Sequence, residues 1–319
     1  MRAIPRLLTL IVALAMLLLL ALLHSAFSSE SVTLSSNVTR GASVWVIRVD
    51  LNDPNVKVDI GLPAKGIAHS ESFAAFIKRH APLAAVTGTY FDTRTLRPTG
   101  TIVVGGKTVH ESHVGTAVCF TSDNKVSFVA AKPGRACDLS KAESGLRTGP
   151  RLLAGGQYAL SPRSEGFRCT GLFGARMRMA LGVTARNELL LVLVRTPVTF
   201  SRLASIMHTL GAVDAVCLDG GASSAMYFKG RLIRRPGRLL TNVVEVLRRN
   251  PTPAVGAGRG ESVIVVAVTR PSYSGAVLCA GNARSAPPDA VWEQAAVLGD
   301  PIRLRFPKGF HALIPVDWA

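Results

Sequence analysis

The stretch Leu218-Asp219-Gly220-Gly221-Ala222-Ser223-Ser224 constrains this chain more than any other. An apolar run from Val213 to Leu218, broken only by Asp214, carries a carboxylate onto two successive glycines and two hydroxyls. The apolar pattern then resumes at Ala225-Met226. Glycine allows positive φ and close backbone approach, so the chain must turn sharply at a strand end while holding an acid there. Two readings are open. Asp219 either hydrogen-bonds its own turn in a plain strand–turn–strand, or it is presented to a ligand.

The N-terminal segment sets the compartment. Arg2 and Arg6 precede an apolar run, Leu7 to Leu23, and Ala26-Phe27-Ser28 offers small residues for cleavage. This is the pattern of a secretory signal over residues 1–28, although the run is also near the lower length limit for a membrane anchor. Export to the periplasm or medium is expected under either reading. Without the leader, 35 basic residues face 20 acidic ones, a net charge of +15. Such an excess favours acidic partners such as phosphorylated sugars, anionic envelope polymers or lipid headgroups. Few aromatics, dispersed arginines and an export signal argue against nucleic acid. The five cysteines lack metal-ligand spacing, and export permits a disulfide, with Cys119–Cys137 across a hairpin the first pairing to consider.

Strand patterns dominate the chain beyond the leader. Ser43 to Asp50, Val56 to Ile60 and Leu83 to Val86 read as strands, and Gly105-Gly106 marks a hairpin. Helical spacing occurs over Ser70 to Arg79 and over Ser201 to Leu210, with Ser201 as the expected cap and Gly211 as the stop. Separated helices among many hairpins predict an α+β fold of mixed or antiparallel sheets in one main domain, residues 29–248. Residues 249–319 open with Pro- and Gly-rich sequence and are expected to be a linker and C-terminal extension. Gly256-Ala257-Gly258-Arg259-Gly260 has no helix after it and reads as linker rather than as a phosphate loop.

Four further segments place glycines beside polar groups at strand ends. They are Thr87-Gly88-Thr89-Tyr90-Phe91-Asp92, Pro98-Thr99-Gly100-Thr101, Thr148-Gly149-Pro150-Arg151 and Arg178-Met179-Ala180-Leu181-Gly182. In this order, with the Asp219 turn and then Arg238-Leu239-Leu240-Thr241-Asn242, the chain resembles the phosphodiester glycosidase family from about Ser70 to Val246. The family usually has Asn where this chain has Thr87, Thr at Met179 and often an acid at Gly237. An amide both donates and accepts, whereas a hydroxyl offers less, so altered specificity is expected here.

The resemblance implies hydrolysis of the bond between an anomeric carbon and a phosphodiester oxygen. Phosphate leaves as a stable anion, so the site must chiefly supply a cationic clamp and negative charge near the oxocarbenium centre. Arg178 and Arg238 are the candidates for the clamp. Asp219 is the carboxylate expected to act on water or at the anomeric centre, and Asp92 is a second acid that could pair with it. Thr87, Gly88, Tyr90, Gly149, Gly220, Gly221, Ser223, Ser224 and Asn242 complete the expected substrate site, with Tyr90 either a sugar-stacking wall or core. No cofactor is called for, and no ligand set for a divalent cation at Asp219 is spelled out. The competing class is a non-catalytic envelope protein that binds anionic glycans or exopolysaccharide through the same pocket.

Overall fold

The structure, a computed structural model, describes residues 30–130 and 138–249, and the backbone of three strands beyond them. The leader and Cys137 lie outside the described residues, and with them the export signal and the Cys119–Cys137 pairing. Contacts divide the chain into two units, residues 1–250 and 251–319.

Among its described residues, the first unit is built of three antiparallel sheets and two α-helices. The largest sheet holds β1 (Val32–Thr39), β2 (Ala42–Asp50), β13 (Glu188–Val198), β12 (Arg176–Thr184), β14 (Ala212–Leu218), β10 (Arg151–Ala154) and β11 (Gln157–Tyr158), in that spatial order. A second sheet runs β16 (Arg231–Arg234), β15 (Met226–Phe228), β4 (Ala84–Thr87), β17 (Val243–Arg248), β3 (Val56–Gly61). The third runs β6 (Lys107–His113), β5 (Gly100–Val104), β9 (Ser144–Thr148), β7 (Thr116–Phe120), β8 (Val126–Val129). The strand-rich α+β expectation holds. In the second unit β18 (Ser262–Arg270) pairs with β19 (Tyr273–Gly281), and β19 with β20 (His311–Ala312).

The apolar run of β13 reflects burial on both faces. Leu189, Leu191 and Leu193 join Ile47, Ile102, Leu146, Leu181 and Val216 in a core shared by all three sheets. The alternate residues Leu190, Val192 and Val194 pack with Ala180, Ala215 and Cys217 under helix α2 (Phe200–Thr209). Helix α1 (Phe73–His80) covers the outer face of the second sheet through Phe73 and Phe76.

Caps fix both helix starts. Ser72 accepts from the Ala75 N–H at 3.2 Å, and Lys78, Arg79 and His80 suit the negative C-terminal end of α1. At α2 the cap is Thr199, two residues before the expected Ser201, and it accepts from the Arg202 N–H at 3.4 Å. The shift has a packing cause: Phe200 is buried in the first turn against the sheet, which draws the helix start back to Thr199.

Gly182 has its own role in this layer. A Cβ there would lie 2.7 Å from Met207 Cε and 2.9 Å from the Asp214 carbonyl oxygen. The motif Arg178-x-Ala180-x-Gly182 therefore places small residues on the strand face that α2 covers. Arg178 occupies the same face at the strand end.

Candidate functional site

Asp219 emerges from the end of β14, in the middle of the largest sheet. Its N–H donates to the Gly88 carbonyl at 3.0 Å, and the Gly88 N–H donates to the Asn242 carbonyl at 3.2 Å. Asn242 locks the junction: its Oδ1 accepts from the Thr89 N–H at 2.7 Å, and its Nδ2 donates to the Thr89 carbonyl at 3.2 Å. A Cβ on Gly88 would sit 2.0 Å from Asn242 Oδ1. Glycine is thus what lets the ends of β4, β14 and β17 meet.

The turn after Asp219 needs both glycines. A Cβ on Gly220 would meet the Met177 carbonyl at 2.8 Å, and Gly221 has φ +57°. The 3-10 turn over Gly221–Ser223 folds back beneath the acid. Burial pushes the Asp219 carboxyl up from 3.8 to about 6, against the Ser223 side chain, the Gly220 backbone and the charge of Arg238, which all lower it. Part of Asp219 still meets solvent although protein surrounds it densely. Arg238 is exposed and belongs to the segment joining β16 to β17. That segment is pinned by the Gly237 N–H donating to the Ala222 carbonyl at 2.7 Å.

Below Asp219 lies a buried polar cluster. The Tyr90 hydroxyl donates to Cys217 Sγ at 3.4 Å. Burial first, then the Cys217 thiol, raises the Tyr90 phenol well above its usual value. Burial likewise pushes the Cys217 thiol up to about 11. The charges of Arg178 and Asp219 both act on these two groups, so the four side chains form one neighbourhood. Phe167 packs edge-on against Tyr90, with ring centroids 5.7 Å apart. Thr148 Oγ1 donates to the Cys217 carbonyl at 2.9 Å. Gly149, at φ +148°, begins a cis Gly149–Pro150 turn beside it.

The expected site residues divide into three groups. Asp219, Gly220, Gly221 and Arg238 lie at the partly open strand end. Thr87, Gly88, Tyr90, Gly149, Ser223, Ser224 and Asn242 are buried and shape the site from behind. Tyr90 is therefore core rather than a sugar-stacking wall. Thr87 and Met179, the two departures from the family pattern, are 1% and 0% exposed, so they alter packing rather than the open surface.

Arg178 and Asp92 form the third group and are differently employed from the expectation. Arg178 is 2% exposed, and its guanidinium donates to the Leu172 and Gly174 carbonyls at 2.6 Å and to the Val198 carbonyl at 3.2 Å. It also lies 4.0 Å over the Phe200 ring. A guanidinium so committed is not placed as a phosphate clamp. Asp92 accepts from the Arg94 and Thr95 N–H groups of its own turn, and these bonds hold its carboxyl below the usual value. Its carboxylate is thus turned to its own loop rather than paired with Asp219.

Sequence reasoning missed Phe167 and Glu165. Glu165 is a buried acid, its carboxyl raised chiefly by desolvation, that accepts from Thr116 Oγ1 and the Arg151 N–H, each at 2.8 Å. The only signal was a lone acid in the basic run Arg163-Ser164-Glu165-Gly166-Phe167-Arg168. Among the described residues no three His, Cys, Asp or Glu side chains gather as a metal site. A cavity of about 370 Å³ lined by Arg48, Asp50, Arg186 and Glu188 lies elsewhere, at the opposite end of the largest sheet. Arg48 and Arg186 already pair with Glu188 there, so the chemistry is better sought at Asp219.

Antiparallel sheets here bring glycine-lined strand ends together around the partly desolvated Asp219 carboxyl in an α+β fold. A profile of the phosphodiester glycosidase family matches residues 80–247, more than half of the chain, and the chain belongs to that family. The catalytic domain of zebrafish N-acetylglucosamine-1-phosphodiester alpha-N-acetylglucosaminidase, auto-inhibited by its pro-peptide, superposes with a TM-score of 0.58 at 21% identity. That match covers 70% of this chain and 85% of the zebrafish one. A hypothetical protein from Synechocystis gives a TM-score of 0.60 at 13% identity over 68% of this chain, and this chain spans 62% of its length. At these identities the likeness is one of fold. A comparison with curated sequences found no match.

Proposed function

We propose that this chain is an exported hydrolase that cleaves the glycosidic bond of a sugar-1-phosphodiester. The observation that carries the reading is Asp219: a desolvated carboxyl at about 6, held by Ser223 and Gly220 and within the field of an exposed arginine. At neutral pH it is mostly ionised yet basic enough to take a proton from water, the balance a general base needs. Water attacks the anomeric carbon and gives its proton to Asp219. The C1–O bond breaks, and its electron pair leaves on the phosphate oxygen. Phosphate is stable as an anion, so the step does not depend on a second acid, which accords with Asp92 being engaged in its own turn. Arg238 holds the phosphate, and Arg178 acts as a positioning residue that anchors the chain at Leu172 and Gly174 behind the site.

The zebrafish relative, by its name, acts on a sugar-1-phosphodiester, and the proposed substrate class is taken from it. Incubating the purified protein with N-acetylglucosamine- and glucose-1-phosphodiesters and following free sugar tests the reading. Asp219→Asn is expected to reduce kcat by about 10²–10⁴, the usual worth of a general base. Arg238→Ala is expected to raise KM with a smaller effect on kcat. Turnover by Asp219→Asn equal to that of the native protein would remove Asp219 from the mechanism.

A further inference from the structure

The largest sheet ends on β1, and one side of that strand's backbone is open. The Asp50 N–H donates to the Ser31 carbonyl at 2.7 Å, and pairing then runs without a slip from Val32 opposite Val49 to Thr39 opposite Ala42. Hydrogen-bonded and non-hydrogen-bonded pairs alternate along an antiparallel ladder. Thr33, Ser35, Asn37 and Thr39 therefore bond to β2, while Val32, Leu34, Ser36 and Val38 turn their N–H and C=O groups outward. Lys229 closes one end of this row: its Nζ donates to the Val32 carbonyl at 2.8 Å and pairs with Glu30. The outward N–H and C=O groups of Leu34, Ser36 and Val38 have no hydrogen-bond partner among the described residues.

The other sheet edges of the first unit are blunted, as an exposed row of unpaired groups requires in a soluble protein. Strand β11 has two residues, and β16 has four, two of them Arg231 and Arg234. Strand β3 carries Lys57 and Asp59, while β6 carries Lys107 and Glu111 and shifts register twice against β5. Strand β8 has four residues and follows Lys125. By contrast β1 has eight residues and no charge, proline, glycine or bulge. In a chain of net charge +17, an uncharged edge of this length is one that a second copy can approach without repulsion.

The sequence of β1 is also its own complement. Outward from Ser36 in both directions, Ser35 matches Asn37, Leu34 matches Val38 and Thr33 matches Thr39. Val38 is 78% exposed, and Leu34, on the same face of the strand, is half-buried against the shared core. The two ends of the strand differ in charge. Glu30, Asp50 and Glu188 line the cavity at the Val32 end, together with Arg48 and Arg186. At the Thr39 end Arg40 and Arg202 are exposed, with Arg202 donating to the Arg40 carbonyl. Residues 36–43 and 195–209, which form that end, contain no acid.

We propose that two copies of this chain join edge to edge through β1, antiparallel about a two-fold axis at Ser36. Leu34 then faces Val38 of the second copy, Ser36 faces its own counterpart, and each of these pairs exchanges both of its N–H···O bonds. Every exposed Val38 is covered by a leucine, and Ser35 lies opposite Asn37. The arginines at the end of one strand meet the acids at the start of the other. The two largest sheets become one continuous sheet. Three strands separate β1 from β14, so the association does not use Asp219 and stands apart from the glycosidase reading.

Sedimentation equilibrium of the purified native protein at micromolar concentrations should show monomer and dimer in exchange. Ser36→Pro removes an outward N–H and no bond of the β1–β2 ladder, a position where an edge strand tolerates proline. It should raise the dimer dissociation constant at least about tenfold through the lost main-chain bonds at the axis, with an unchanged circular dichroism spectrum. Should that variant unfold, Val38→Lys reads the same contact from the side chain, and the same loss is expected. Oxidation tests the register separately. Opposed residues of a hydrogen-bonded pair lie about 5.5 Å apart at Cα, within the span of about 4.4–6.8 Å that a disulfide bridges. Ser36→Cys should therefore give a dimer linked through the two new thiols, whereas Val38→Cys, which faces a leucine, should not. Peptide mapping separates that link from any formed at Cys169, which is exposed in the native chain. A native protein that stays monomeric throughout would overturn the inference, as would a dimer that survives both Ser36→Pro and Val38→Lys. Linking by Val38→Cys as readily as by Ser36→Cys would overturn the two-fold at Ser36.

Discussion

Replacing Asp219 with Asn should stabilise the protein above neutral pH, and the size of the effect can be worked from the site. Burial raises the carboxyl from 3.8 to about 6, whereas in the unfolded chain it returns to the lower value. Because the folded value is the higher one, the favourable contribution of the protonated carboxyl is fully present below about 3.8. It is lost as pH rises through about 6. A separation of about two units at about 1.4 kcal/mol each gives about 3 kcal/mol. Solvent reaching part of the side chain relieves some of this, so about 1–3 kcal/mol is expected. The neutral amide of Asn avoids that cost and can still accept one of the Ser223 or Gly220 hydrogen bonds.

The assay is urea unfolding of the native and Asp219→Asn proteins between pH 4 and 8, followed by circular dichroism. The Asn variant should be more stable at pH 8 by the amount above, or roughly 3–10 °C in Tm for a domain of this size. Its advantage should vanish by about pH 4, where the native carboxyl is also neutral. Other titrating groups act on both proteins alike and cancel in the difference. A variant less stable at pH 8, or a difference that stays flat with pH, would refute the argument that Asp219 is held charged against its surroundings. Gaining stability while losing activity is the trade expected of a strained functional group.

The kcat/KM profile should fall about tenfold per pH unit below about 6 as Asp219 takes up its proton, and a rise on acidification would make it an acid instead of a base. Arg178→Ala should cost about 3 kcal/mol or more in unfolding free energy, since it leaves three carbonyls without their cationic donor. Arg178→Lys should not restore it, because an ammonium cannot serve three separated acceptors and lie flat on Phe200. Gly88→Ala should lower stability by about 2 kcal/mol or more and reduce activity together, because its methyl would collide with the Asn242 amide. Thermal unfolding read beside sugar release checks the last.

How much of this was legible in the sequence depended on how local each cause was. The hairpin at Gly105-Gly106 and the turn after Asp219 were readable because Gly105, Gly106 and Gly221 serve a purely local need, backbone with φ of +55°, +72° and +57°. The need for Gly88 was visible as a pattern, but its reason, the Asn242 amide more than 150 positions later, was not. The strand β1 was passed over because it is an edge strand with most of its side chains exposed, and such a strand carries no alternating apolar signal. The α2 cap was misplaced because Thr199 and Ser201 are both good caps. Only the burial of Phe200 decides between them.

Arg178 shows where a linear reading stops. Its spacing with Ala180 and Gly182 correctly puts the three on one face of a strand, but spacing does not say what covers that face. The covering element is α2, some 20 residues further along, and its first residue, Phe200, provides the surface on which the guanidinium lies. Ala215, Cys217 and Asp219 occupy the same face of the neighbouring strand. The helix layer thus buries one end of the pair, Arg178, while Asp219 passes beyond the strand end and keeps contact with solvent. The same register that brings an arginine and an acid together therefore also sorts them, one into the frame and one to the partly open strand end. On the proposed glycosidase reading, phosphate recognition accordingly falls to Arg238, on a segment that reaches the acid from the second sheet.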